Sequence, residues 1–202
     1  MAADAFLDQM YFDPYFEMQA CKILPGEFYV TQQDLMLVSV VGSCVVACIR
    51  DTQLGWGGMT HFMLPPEANL VELVDASTRY GSHALELLIN ELLKRGAQRD
   101  NLEAKVFGGG KVLAVPASQV VSQRNAEFVE QYLQAESIPL VAQSLLGDYP
   151  LKVYFFPTSG RVLVKKLKKL NNTTIFEREA RYFEELVGMS VAGKIELFTP
   201  DA

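Results

Sequence analysis

Short runs of β-branched and aromatic residues recur along the chain from about residue 27, separated by polar residues or glycine. The runs are FYV, MLVSVV, VVACI and WGGMTHFML, and the last of them ends at Pro65 and Pro66. Runs of this length, bounded by turn-forming residues, are typical of buried strands. We therefore predict that residues 35–64 form a buried strand pair or a strand-turn-strand unit, with a turn at residues 51–55.

A helical period replaces this pattern further along the chain. Apolar residues recur every three or four positions between Ala84 and Leu93, Ser77 is a candidate N-cap, and Gly96 is placed to end the helix. A second helix is predicted at 124–135 and a charged amphipathic helix at about 174–187. Strands are predicted for LEAKVF, IPLVAQ and the terminal IELF, and a hairpin for KVYFFPTSGRVLVKK. Because strands and helices do not alternate regularly, we expect an α+β fold, a layered sandwich of mixed β-sheet with helices.

The first 20 residues differ from the rest, since they contain four acidic residues, several aromatic residues and neither lysine nor arginine. We interpret them as a loosely held arm. The alternative is an aromatic and acidic segment that docks on the body of the protein or on a partner.

Composition narrows the possible classes of protein. Half of the 202 residues are apolar, which is enough for a substantial core. The net charge of −6 makes nucleic acid an unfavourable partner, because phosphate binding requires a basic surface. Three cysteines do not form a disulfide framework, and no run resembles a signal peptide or is long enough to enter a bilayer. These features predict a soluble protein of a reducing cytoplasm.

Cys44 is the main candidate for chemistry, since it follows a Gly-Ser pair inside an apolar run. His61 lies on the next predicted strand, so a strand-turn-strand return would bring the thiol and the imidazole together. As an ion pair, the two would lower the thiol pKa from about 8.5 to roughly 3.5–7.5. Backbone N–H groups near Ser43 and Cys44 would hold an oxyanion, and Gly57 and Gly58 would leave room for a substrate.

Two other interpretations of Cys44 stay open from the residues alone. Cys44 and Cys48 have the same strand parity, so both are candidates for core positions. Together with His61 and His83 they are also candidate zinc ligands, because a Cys-x3-Cys spacing suits zinc. The segment FGGGK at residues 107–111 lacks the Walker pattern, and we interpret it as a structural turn that lines a cleft.

Several blocks of the sequence resemble the CheD family, the chemoreceptor glutamine deamidases of bacterial and archaeal chemotaxis. The blocks are GSCVVACIRD, GGMTHFMLP, RYG before a helix, GAQRDNLEAKVFGG, RN and KVYFFPTSGRVLVKKL. They follow one another in unbroken order across about residues 23–168. The resemblance implies a layered α+β fold similar to that of the cysteine hydrolases of the deamidating-toxin type. It also implies a division into an N-terminal arm (1–22), a deamidase domain (23–170) and a C-terminal extension (171–202).

The family resemblance implies a protein-glutamine glutaminase that converts glutamine side chains on the cytoplasmic helices of methyl-accepting chemotaxis receptors to glutamate. It places the nucleophile on Cys44 and the histidine on His61. The family's third residue, a threonine that orients the histidine, falls on Ser39. A substrate glutamine would be framed by the remaining candidates, which are Ser43, Gly57, Gly58, Gly108 and Gly109.

The family resemblance also bears on cofactors and partners. No cofactor or metal is expected, and some CheD proteins bind the CheC phosphatase. A different class of function is a non-catalytic adaptor that binds receptors or signalling proteins.

Overall fold

The computed structural model describes residues 3–64, 74–111, 116–167 and 173–188. Ten strands lie within these ranges: β1 (Met10–Asp13), β2 (Met18–Lys22), β3 (Phe28–Thr31), β4 (Met36–Val41), β5 (Val45–Asp51), β6 (Gly57–Phe62), β7 (Leu102–Gly108), β8 (Leu140–Leu145), β9 (Leu151–Phe156) and β10 (Arg161–Lys166). The α-helices are α1 (Val74–Lys94), α2 (Pro116–Ala135) and α3 (Thr173–Gly188). None of the helices in the described ranges is long and apolar enough to cross a membrane.

The strands form two five-stranded sheets. The first sheet has the order β1-β2-β4-β9-β10, and the second has the order β3-β6-β5-β7-β8. Each sheet contains one parallel pair, β2 with β4 in the first and β7 with β8 in the second, while the other neighbours are antiparallel. The predicted mixed sheets of an α+β protein are therefore confirmed, and so is the β5–β6 return that follows the cysteine.

The two sheets and the helices stack in three layers. Alternate residues of β4 and β5 fill a core between the sheets, including Leu37, Val41, Val46 and Cys48. The other face of the second sheet packs on α1 and α2 through a second core: Val45, Ala47, Ile49, Leu85, Leu88, Leu92, Val129 and Leu133. The helical apolar pattern in the sequence thus corresponds to the helix layer, and the strand pattern to the two sheet layers.

Three predicted features differ from the structure or fall outside it. The loosely held arm is wrong for residues 10–22, because β1 and β2 form a hairpin and β2 pairs with β4. Backbone pairing anchors this acidic, aromatic segment although its side-chain pattern is weak. Ser77 is not an N-cap, because α1 already begins at Val74. The IELF strand lies outside the described residues, and the proposed boundaries at residues 22 and 170 stay predictions.

Residues 42–44 carry the chain from the first sheet to the second, since β4 ends at Val41 and β5 begins at Val45. The end of β7 fastens this connection: the Gly109 N–H donates to the Cys44 carbonyl at 2.7 Å, and the Gly110 N–H donates to the Gly42 carbonyl at 2.6 Å. Gly108 has a φ of +114°, and a Cβ atom there would lie 2.2 Å from the Cys44 carbonyl oxygen. Only glycine permits this close approach.

Replacing Gly108 with alanine is expected to displace the Cys44 loop and lower the free energy of unfolding by at least about 1–3 kcal/mol. Gly96→Ala is the matched control, because Gly96 also has a positive φ of +97° but has nothing within 4 Å of its would-be Cβ. Urea denaturation of both variants measures the difference. Equal losses of stability in the two variants would contradict the clash with the carbonyl of Cys44.

Candidate active site

Cys44 lies immediately before β5, and its side chain is on the face of the second sheet that points towards the first sheet. Its parity matches that of Val46 and Cys48, and all three belong to the core between the sheets. His61 is on the neighbouring strand β6, where it pairs with Val46. The two residues singled out in the sequence are therefore brought to the same face by one hairpin.

Ser39 reaches the same place from the opposite sheet. Like its neighbours Leu37 and Val41 on β4, it points into the layer between the sheets, and its Oγ lies 2.8 Å from His61 Nδ1. The same Oγ lies 2.7 Å from the carbonyl oxygen of Ile23. The hydroxyl expected from the family pattern is therefore in contact with the histidine ring.

These two contacts fix the tautomer of His61. A carbonyl oxygen only accepts hydrogen bonds, so the Ser39 hydroxyl donates its single proton to Ile23. The hydroxyl oxygen then accepts from His61, which places the ring proton on Nδ1. Nε2 keeps its lone pair and is buried with no hydrogen-bond partner among the described residues. His61 is consequently set up as a proton acceptor at Nε2.

Helix α3 adds a carboxylate that the sequence interpretation did not single out. Glu179 Oε1 accepts hydrogen bonds from the Gly42 N–H at 2.6 Å and from the Cys44 N–H at 3.5 Å. Its Oε2 accepts from the Ser43 N–H at 2.9 Å and from the Ser43 hydroxyl at 2.7 Å. Three successive backbone N–H groups thus point at one carboxylate, which is the arrangement of an anion-binding nest.

Asn125 on α2 holds this nest from behind and is a second residue that the sequence left without a role. Its Nδ2 donates to the Ser43 carbonyl at 2.9 Å, and its Oδ1 accepts from the Leu64 N–H at 2.7 Å. Turning the Ser43 carbonyl away from the site helps to turn the N–H groups towards it. The RN block in the sequence was the available signal for Asn125.

The charge state of the cysteine–histidine pair differs from the expected ion pair. Burial raises the pKa of the Cys44 thiol well above its ordinary value, and the nearby Glu179 carboxylate raises it further. Burial lowers the pKa of His61 to about 4, and the positive charge of Arg178 adds to this shift. Both groups are therefore neutral at pH 7 while α3 covers them, and the predicted thiolate–imidazolium pair does not form in this arrangement.

The cysteine, the histidine and the carboxylate are all shielded from solvent. Cys44 is 0% exposed, His61 is 1% exposed and Glu179 is 3% exposed. The covering element includes α3, whose Tyr182 lies against Gly26 beside the site; a Cβ on Gly26 would be 3.0 Å from the Tyr182 ring. The Gly26 N–H in turn donates to the His61 carbonyl at 2.8 Å.

The four-residue zinc set considered from the sequence is not assembled. His83 is exposed on α1, and Cys48 lies four residues along β5 between Met59 and Lys105. Among the described residues, the group with metal-ligand chemistry is instead Cys44, His61 and Glu179, whose ligand atoms lie within 4.8 Å of one another. Both oxygens of the carboxylate already accept hydrogen bonds from the nest, so protein donors satisfy it without an ion.

The remaining predicted site residues divide into two groups. Ser43 lies in the nest, which is supported by Gly108 at the end of β7 and by the following Gly109. Gly57 and Gly58 lie at the far end of β6, where added Cβ atoms would meet Pro157 and Leu88 respectively. Close packing accounts for glycine at these two positions, and a contact between them and a substrate stays a prediction.

A family profile and the sequence relatives agree on one family. A family profile described as "CheD chemotactic sensory transduction" matches residues 63–166. A relative from Dechloromonas aromatica, named "Probable chemoreceptor glutamine deamidase CheD 1", is 57% identical over 188 residues, which are 93% of each chain. Relatives named "Probable chemoreceptor glutamine deamidase CheD" from Herminiimonas arsenicoxydans and Janthinobacterium sp. are 54% and 51% identical over 96% and 98% of each chain.

Among solved structures, a hypothetical protein YfiH from Bacillus licheniformis aligns with 60% of this chain and 51% of its own at 15% identity. The TM-score of that alignment is 0.41, so the likeness is distant. The sequence relatives, in contrast, match over nearly the whole length of both chains. This chain belongs to the CheD family.

Proposed function

We propose that this protein deamidates glutamine side chains on the cytoplasmic helices of methyl-accepting chemotaxis receptors, with Cys44 as the nucleophile. The names of its relatives support the reaction and the receptor substrate. The mechanism is carried by one cluster: the Cys44 sulfur, a ring nitrogen of His61 and an oxygen of Glu179 lie within 4.8 Å of one another. Three backbone N–H groups donate to that carboxylate, and His61 Nε2 has no hydrogen-bond partner among the described residues.

The first half of the reaction forms a thioester. His61 Nε2 takes the proton of the Cys44 thiol, and the sulfur attacks the carbon of the glutamine carboxamide. The negative charge that develops on the carboxamide oxygen is stabilised by the N–H groups of residues 42–44. The imidazolium then returns its proton to the departing amide nitrogen, and ammonia leaves.

The second half hydrolyses the thioester. His61 Nε2 accepts a proton from a water molecule, whose oxygen attacks the thioester carbon, and the same N–H groups hold the second oxyanion. Collapse of this intermediate breaks the carbon–sulfur bond, and the proton on His61 neutralises the sulfur. The balance is one glutamine and one water converted to one glutamate and one ammonia. Ser39 keeps Nδ1 protonated throughout and so positions the ring.

Removing either reacting group is expected to abolish the reaction. Cys44→Ala and His61→Ala should each lower the rate of ammonia release from receptor fragments by on the order of a thousandfold or more, because each removes a group that acts directly in the proposed chemical steps. Cys48→Ala is the matched control, since Cys48 lies on the same strand face outside the site. Circular dichroism checks that all three variants are folded.

The burial of the Cys44 thiol favours a second candidate function, that of a non-catalytic adaptor. The same Cys44→Ala variant distinguishes the adaptor from a deamidase. If the protein is a deamidase, Cys44→Ala should fail to restore chemotaxis in a strain that lacks the gene. A non-catalytic adaptor predicts full complementation by the variant. Full ammonia release by a folded Cys44→Ala protein would refute the thioester mechanism.

Loss of the Ser39 hydroxyl is expected to lower kcat by about tenfold to a hundredfold, because the imidazole loses its positioning partner. Ser39→Thr should restore most of the rate, since threonine keeps the hydroxyl. Steady-state kinetics on a receptor fragment, measured across pH, checks both variants. A Ser39→Ala protein with an unchanged kcat and pH profile would show that the contact has no positioning role.

The neutral state of His61 predicts how stability depends on pH. Burial lowers its pKa from 6.5 to about 4, so between these values the unfolded chain binds a proton that the folded chain does not. The free energy of unfolding should therefore fall as the pH falls through this window, by up to about 1.4 kcal/mol per pH unit from this group.

Urea denaturation at several pH values measures the contribution of His61, provided that the variants are compared with the unmodified protein. His61→Gln should remove part of the pH dependence, and His83→Gln, a change at an exposed position of α1, is the matched control. Identical pH dependence in the two variants would contradict a buried, neutral His61.

A further inference from the structure

Glu179 is held by the active-site loop more completely than an ordinary surface glutamate. Four donors from residues 42–44 converge on its two oxygens, although the carboxylate comes from a separate helix about 135 residues away along the chain. Its neighbours Glu177, Arg178 and Ala180 on α3 are exposed. Glu179 is therefore the buried one of these four residues, and Tyr182, about one turn further along the same helix face, packs against the core beside the site.

The chemistry of this side chain matches the product of the proposed reaction. Deamidation replaces the NH2 group of a glutamine with OH and leaves a glutamate side chain. Glu179 presents that glutamate group within 4.8 Å of the Cys44 sulfur and a ring nitrogen of His61, with its oxygens on the N–H groups that would hold the oxyanion. The carboxylate thus lies where a product carboxylate would lie.

We propose that α3 is an internal product-like ligand, whose Glu179 fills the site that receives the substrate carboxamide and closes the enzyme until a substrate displaces the helix. The inference rests on the proposed deamidase function. It also specifies the form of the substrate: since Glu179 reaches the nest from an α-helix, the site accepts a glutamine carried on the exposed face of a helix.

The donor set explains why a glutamate closes the site more firmly than a glutamine would. Both carboxylate oxygens accept hydrogen bonds, so each of the N–H groups at residues 42–44 and the Ser43 hydroxyl has an acceptor. A carboxamide has one oxygen and one NH2 group, so in either orientation its NH2 group would face N–H donors of the nest, donor against donor. A buried donor left without its acceptor is unfavourable. The nest therefore retains glutamate and releases a carboxamide more readily.

The carboxylate also keeps the cysteine unreactive while α3 is in place. It blocks the approach to the sulfur, and its negative charge disfavours a second negative charge on the thiol. Departure of α3 would remove both effects and expose His61 Nε2 and the nest together. Closure and chemical activation are thereby coupled to one helix.

Glu179→Gln tests whether the side chain at position 179 occupies the carboxamide site. The Cys44 sulfur should attack the introduced carboxamide in the same chain, ammonia should leave, and water should hydrolyse the thioester to restore glutamate. Peptide mass spectrometry of the purified variant should therefore find glutamate at position 179. The conversion should be absent in the Cys44→Ala/Glu179→Gln double variant. In Glu184→Gln the introduced amide should persist, since Glu184 is exposed on the same helix.

Glu179→Ala tests closure itself, in the full-length chain with receptor fragments as substrate. Deamidation and alkylation of Cys44 should both accelerate, the alkylation by about tenfold for each unit by which the thiol pKa falls. Glu184→Ala should leave both rates unchanged, and circular dichroism should show that both variants are folded.

The outcomes separate the inference from the proposed function. If the unmodified enzyme deamidates receptor fragments, but the amide of Glu179→Gln stays unconverted and Glu179→Ala gives no acceleration, the inference is overturned and the deamidase function stands. If folded protein converts neither receptor glutamines nor the amide of Glu179→Gln, both fail. Conversion at position 179 that persists without Cys44 would also overturn the inference, because it would not be the enzyme's own reaction.

Discussion

The structure depends on one constraint, namely that residues 42–44 leave the first sheet and enter the second without a neighbouring strand to accept their N–H groups. Buried N–H groups without an acceptor cost about 1–3 kcal/mol each, so such a crossing requires an acceptor at its concave side. Here the acceptor is a carboxylate from α3. The same need for an acceptor is what makes the crossing suitable for holding an oxyanion in the proposed reaction.

The sandwich of two sheets supplies the rest of the site around this crossing. Strand parity points Cys44 and His61 from the second sheet and Ser39 from the first into the layer between them. A shift of one residue in any of these strands would turn its side chain to the other face and separate the three groups. The glycines at the end of β7 and Asn125 on α2 then fix the loop, because they bind its carbonyls and leave its N–H groups facing the site.

The local part of this arrangement was predictable from the sequence. Alternating and apolar runs around Cys44 and His61 specified neighbouring strands, since a short antiparallel return depends only on nearby residues. The seventeen-residue separation of the two residues therefore sufficed to place them on one hairpin. Ser39 was predictable only through the family pattern, because its partner strand belongs to a different sheet.

Other features depend on contacts that the sequence does not display. Glu179 is one of several glutamates on a charged helix, and no local signal distinguishes it from Glu177 or Glu184. Strands β1 and β2 are held by pairing with β4, which their acidic and aromatic pattern does not reveal. The charge state of Cys44 and His61 was mispredicted for the same reason, since the direction of each pKa shift follows from burial beneath a helix that lies far away in the chain.

Trapping the covalent intermediate on Cys44 is the most direct test of the proposed chemistry. Folded enzyme mixed with a glutamine-bearing receptor fragment and quenched in acid within the first turnovers should carry the fragment, less one ammonia, on Cys44, as read by mass spectrometry of its peptides. The adduct should disappear on incubation at neutral pH as glutamate forms. Conversion of glutamine to glutamate with no adduct on Cys44 at any time, or with an adduct on another residue, would contradict the account.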